Sequence, residues 1–85
     1  MKPIRKNASL ESVAMAAVNR ANRARRLWHA AVESVERTEW RDPNLNTYKY
    51  LRSLAWDRYE DLREIAEHLS RLTGVPGPRP FTEPA

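Results

Sequence analysis

The chain contains no cysteine, so neither a disulfide nor a thiolate metal site can staple it. Its two histidines, His29 and His68, lie 39 positions apart in the numbering and lack the close spacing of a second ligand, so no zinc site is expected. The only two glycines, Gly74 and Gly77, both fall near the C-terminal end. A glycine-rich phosphate loop is therefore excluded, and the scattered serines and threonines form no nucleophile elbow. No apolar run approaches the ~18 residues that a membrane span requires. Met1-Lys2-Pro3-Ile4-Arg5-Lys6 reads like the basic start of a signal peptide, but no apolar segment follows it. The Arg-rich, acid-poor first 31 residues share the composition of a mitochondrial transit peptide. The default reading is a cytoplasmic protein. With no pocket-forming motif, metal set or activated nucleophile, the expectation is a protein that is not an enzyme and takes no cofactor or small-molecule substrate.

Against these absences stands one strong pattern. Leu10, Ala14, Ala17, Ala21, Ala24, Trp28, Ala31 and Val35 recur at spacings of 4-3-4-3-4-3-4. That is a heptad seam, and it predicts one long helix over about 9–39 with a narrow face built mostly of alanine. Ser9 suits the N-cap, and Glu11 complements the helix dipole. Alanine lets another helix approach closely but buries little area, so the bulk must come from elsewhere.

Trp40-Arg41-Asp42-Pro43-Asn44-Leu45-Asn46 breaks the run, because Pro43 lacks an N–H and disfavours helix at Asp42. Asp42 can cap a turn there; Asn46 is the preferred cap of a second helix over about 47–73. Trp40 and Leu45 are expected to plug the end of the core. The second seam reads Leu51, Ala55, Arg58, Leu62, Ile65, Leu69 and Leu72, with Tyr48, Leu54, Tyr59 and Ala66 beside it. Gly74 is placed as a C′ glycine, Val75 to touch back on Leu69, and Pro76 to stop the helix. Residues 1–8 read as a flexible basic arm, 9–73 as the helical domain, and 74–85 as a Pro-rich extended tail.

The expected fold is all-α, a long antiparallel helical hairpin. Taking the loop centre near residue 43 sets Leu69 against Ala17, Ile65 against Ala21, Leu62 against Ala24 and Ala55 against Ala31, so large faces small at most levels. A chain of 85 residues buries a thin core. Dimerisation to a four-helix bundle is the natural completion, and a different protein on the uncovered flank is the alternative. This architecture resembles the small plasmid RNA-binding hairpin dimers of the Rop type. The likeness is of architecture alone: no motif is shared and no residue role is carried over.

Charge is distributed unevenly. Residues 1–41 hold nine Lys/Arg against four acids, and residues 42–85 hold six against seven. No acid interrupts the stretch between Glu11 and Glu33. Asn19, Arg20, Asn22, Arg23, Arg25 and Arg26 spread over the outer face and shoulders of the first helix, where Arg forks suit phosphate and Asn can read bases. Lys2, Arg5 and Lys6 can assist. The alternative is an ordinary solvated face. On the second helix, Trp56, Glu60 and Glu64, with Phe81 from the tail, are candidates for a protein partner, and Phe81 is also a plausible cover for Trp56. Arg58, inside the apolar seam, is expected to stack on Trp28.

The function these residues favour is a small regulatory binding protein that grips an anionic partner, nucleic acid first. The second reading is a protein-binding regulator or inhibitor, of the kind mobile genetic elements or phages encode. It would work through Trp56 and the acidic face, or by gripping an acidic protein surface.

Overall fold

The computed structural model describes residues 9–83 and contains two helices, α1 (Leu10–Arg37) and α2 (Leu45–Thr73), packed against each other as a hairpin. The arm carrying Lys2, Arg5 and Lys6 lies outside the described residues, as do 84 and 85. The molecule measures 55 × 30 × 16 Å. With a helix about 10–12 Å across, the short dimension is that of a single layer.

α1 starts where its sequence says it should. Ser9 is extended and its Oγ accepts from the Ser12 N–H at 3.1 Å. At the other end the Thr38 N–H returns to the Val35 carbonyl at 3.2 Å. α2 starts two residues earlier than expected. Asp42 Oδ1 accepts from the Asn44 N–H at 2.8 Å and Asn44, not Asn46, is the N-cap residue, with no side-chain cap bond of its own. The Asp42-capped turn orders the loop so tightly that the helix needs no later start. Leu45 is half-buried there, but Trp40 is 77 % exposed, with the Arg41 guanidinium 4.7 Å above its ring rather than plugging the core. Gly74 closes α2 in the left-handed region at φ 81°, its N–H bonding the Ser70 carbonyl at 2.8 Å. That conformation is open to glycine at no steric cost.

The alanine seam of α1 packs inward from Ala14 on: Ala14, Ala21 and Ala24 are buried, Ala17, Trp28, Ala31 and Val35 are half-buried, and Leu10, at the helix start, is exposed instead. The seam of α2 is rotated from the expected one. Tyr59 and Ala66 are fully buried, whereas Ile65 is 54 % exposed and Leu51, Arg58 and Leu72 face solvent. The inward line is Leu45, Tyr48, Arg52, Ala55, Tyr59, Leu62, Ala66, Leu69 and Thr73, also a heptad line. It shares Ala55, Leu62 and Leu69 with the expected one. Ala66 clusters with Ala21 and Val18, with Ala17 and Leu62 packed on them. Small therefore meets small at the centre, and the expected Ile65–Ala21 pairing is replaced. Two alanine faces allow close backbone approach, which keeps dispersion contacts dense where little area is buried.

Candidate functional site

The tail supplies the bulk that the alanine seam lacks. After Gly74 it runs back over one face of the hairpin, and its backbone is held along its course. Ser70 Oγ donates to the Val75 carbonyl. The Arg79 N–H donates to Asn22 Oδ1 at 2.9 Å, and the Tyr59 hydroxyl donates to the Arg79 carbonyl at 3.4 Å. His29 Nε2 meets the Phe81 carbonyl at 2.9 Å, and the Arg25 guanidinium donates to the Glu83 carbonyl. A turn closes it, with the Glu83 N–H on the Pro80 carbonyl at 3.0 Å and an Arg79–Glu83 ion pair.

Phe81 completes an aromatic cluster under this strap. Its ring centroid is 6.3 Å from that of Trp28 and 5.6 Å from that of Trp56, both edge-on. Trp56 in turn lies 4.8 Å from Trp28 and 5.5 Å from Tyr59. Edge-to-face and tilted arrangements at these separations suit the quadrupoles of the rings. Burial pushes the Tyr59 phenol above its ordinary value, opposed by the nearby Arg63 and Arg25. Of the two sequence readings of Trp56, a bare anchor or a residue under the tail, the geometry is the second: Trp56 is half-buried.

The Arg/Asn set of α1 divides in two. Arg25 is only 2 % exposed and Asn22 is half-buried, and both hold the tail. Asn19, Arg20, Arg23 and Arg26 remain exposed. On α2, Glu60 is half-buried and 4.0 Å from the Arg63 guanidinium, while Glu64 is exposed. The expected Arg58–Trp28 stack is not what forms. Trp28 is occupied by His29, Trp56 and Phe81, and among the described residues the cation–π contacts are Arg41 on Trp40 and Arg63 on Tyr59. The rotation of α2 carries Arg58 away from the aromatic side.

Arg58 goes instead to the face opposite the tail. It lines a groove of about 160 Å³ together with Arg20, Arg23, Ala24, Leu27 and Leu62. Two lines at seven-residue steps flank this groove. On α1 the line is Val13, Arg20 and Leu27; on α2 it is Leu51, Arg58, Ile65 and Leu72, with Leu54 alongside. Every one of these residues is exposed. Residues seven apart share a helix side, so each line reads apolar, arginine, apolar. Among the described residues the ion pairs are Glu33–Arg37, Glu60–Arg63 and Arg79–Glu83, so Arg20, Arg23 and Arg58 take part in none of them. The sequence leaves one flank of the hairpin uncovered, and the rotation of α2 adds Leu51, Ile65 and Leu72, expected in the seam, to that exposed face.

Comparison with protein-family models, with curated proteins and with solved structures returns no match for this chain. The class the fold defines is an all-α helical hairpin strapped on one face by its own C-terminal segment. No helix among the described residues is long and apolar enough to cross a membrane.

Proposed function

We propose that this chain is a small non-enzymatic docking module that binds a partner protein along the open face of its hairpin, in a regulatory role. The observation that carries this reading is the pair of exposed apolar lines, Val13–Leu27 and Leu51–Ile65–Leu72, on the side the tail leaves uncovered. A contiguous apolar face is costly to keep in water and suits a protein surface. Arginine set among apolar residues is the composition of interface hot spots. A phosphate backbone would gain nothing from the leucines.

Nucleic acid, the partner that charge alone favours, loses ground for a physical reason. Asn22 and Arg25, two of the six residues suited to reading it, spend their polar groups on the tail. The remaining Asn19, Arg20, Arg23 and Arg26 keep a basic outer surface, so the test sets the two partners against each other. Fluorescence anisotropy with labelled duplex DNA and stem-loop RNA, at ~50 and ~200 mM salt, should show no tight, steeply salt-dependent binding. Nuclease-treated extract from cells that carry the chain should yield a protein whose retention is lost in Leu54→Glu with Ile65→Glu and kept in Arg23→Ala with Arg26→Ala. Micromolar nucleic-acid binding abolished by the Arg23 and Arg26 changes would overturn the proposal.

A further inference from the structure

We infer that the open face is built for one kind of occupant, an amphipathic helix of a partner protein whose apolar line carries a carboxylate at its middle level. This rests on the docking reading above and names the chemistry of the partner. α1 and α2 both have their midpoints near the level of Arg20, Arg23 and Arg58, which surround a single groove with no carboxylate in its lining. Above and below that level the two lines are apolar, edged around Ile65 and Leu69 by Glu64, His68 and Arg71. From Leu51 to Leu72 at about 1.5 Å per residue, across two helices of about 10 Å, the patch measures roughly 30 by 20 Å. That is about 600 Å², close to the roughly 800 Å² per partner of a standard stable interface.

Charge then selects the occupant. An entirely apolar helix laid here would bury Arg20 and Arg58 with nothing to pair them, and an unpaired buried charge is strongly unfavourable. A helix reading apolar, acidic, apolar at seven-residue steps meets leucine with its ends and arginine with its centre. Arg forks bind carboxylate in bidentate fashion.

A second copy of this chain does not meet that requirement. In a two-fold pair the same patch meets itself. With the axis through the centre of the face, along the helices or across them, middle level falls on middle level and arginine on arginine. The acids of α2 nearest to Arg58 in sequence, Asp57, Glu60 and Asp61, do not line the groove.

The test uses three synthetic helical peptides of about four heptads, roughly 28 residues, identical except at the middle of the apolar line, where they carry Glu, Gln or Lys. Binding to the full chain is read by fluorescence anisotropy at physiological salt, with light-scattering mass on the same samples. The Glu peptide should bind at least about tenfold more tightly than the Gln peptide, and the Lys peptide more weakly still. Arg20→Gln with Arg58→Gln should erase the difference between Glu and Gln; both positions are exposed, and circular dichroism checks that the variant remains folded. Equal binding of all three peptides would leave the docking reading standing and overturn the acidic partner. Binding of none overturns both. A dimer mass that Leu54→Glu breaks would make the occupant a second copy and overturn the inference.

Discussion

Two substitutions one residue apart on α2 test the rotated packing that creates the open face. Ala66 is fully buried against Ala21 and Val18, and Ile65 is 54 % exposed on the open face. Ala66→Leu adds three carbons where two helix backbones approach through alanines. The added carbons push against Val18 and Leu62 or drive the helices apart, and overpacking of this kind costs about 1–3 kcal/mol. For a domain of this size each kcal/mol shifts the melting temperature by about 4–8 °C, so a fall of roughly 12–24 °C is expected at the upper end of that range. Ile65→Ala removes a solvated side chain and improves helix propensity, so it should change stability by no more than about 0.5 kcal/mol. Urea unfolding followed by circular dichroism, at two protein concentrations tenfold apart, reads both effects and exposes any contribution from self-association. The order reverses if the seam is the Leu51–Ile65–Leu72 line. Ile65→Ala would then cost about 2–5 kcal/mol and Ala66→Leu would be nearly silent. That result refutes the rotated packing and the open face together.

Phe81→Ala should cost about 1–2 kcal/mol through lost contact with Trp28 and Trp56. It should also red-shift the tryptophan emission and expose residues 74–83 to limited proteolysis. Arg25→Ala should release the tail in the same proteolysis assay, because Arg25 is buried on the Glu83 carbonyl, while Arg23→Ala, at an exposed position, should leave cleavage and melting temperature unchanged. The Tyr59 phenol titrates above its ordinary value of 10.0 in the folded chain, so its contribution to stability is present in full below about pH 10 and is lost as pH rises through the folded value. Unfolding measured at pH 8 and pH 11 should show a fall with pH that is smaller in Tyr59→Phe than in the wild type; an equal fall in both would refute the assignment.

The helical hairpin was legible because its signals are local: a Ser9 cap, an alanine seam without Gly or Pro, a Pro43 break and a Gly74 stop. The rotation of α2 was not, for a reason that lies in the sequence itself. Two heptad lines overlap on α2 and share Ala55, Leu62 and Leu69. The line through Leu51, Ile65 and Leu72 is the more hydrophobic, and counting apolar residues selects it. Packing selects the other, because Ala66 packs with Ala21 and because the tail covers that side, with Phe81 against Trp56 and the Arg79 carbonyl on the Tyr59 hydroxyl. The tail's course was legible only at Phe81, as a cover for Trp56. Asn22, Arg25, His29, Tyr59 and Ser70 hold it through backbone groups, and such bonds do not depend on the identity of the tail residue they meet. The composition of the Arg/Asn stretch was legible as a basic face, but its division into tail-holding and open residues follows only from the fold.

Arg20 and Arg58 carry a selective role in the docking proposed for the open face. Leucines around a groove give affinity without selectivity, and a hairpin with such a face would pair with itself. An arginine at the middle level of each line penalises every partner that lacks an acid there, including another copy of the chain. The consequence can be measured without knowing the partner. Arg20→Leu with Arg58→Leu completes both apolar lines, from Val13 through Leu27 and from Leu51 through Leu72. The variant should shift in light-scattering mass from monomer toward dimer, and its melting temperature should rise with protein concentration. Arg23→Leu, on the shoulder of the groove, should have a weaker effect. If the double variant remains monomeric at concentrations where the apolar face is fully extended, the arginines are not what holds two hairpins apart, and their selective role fails with it.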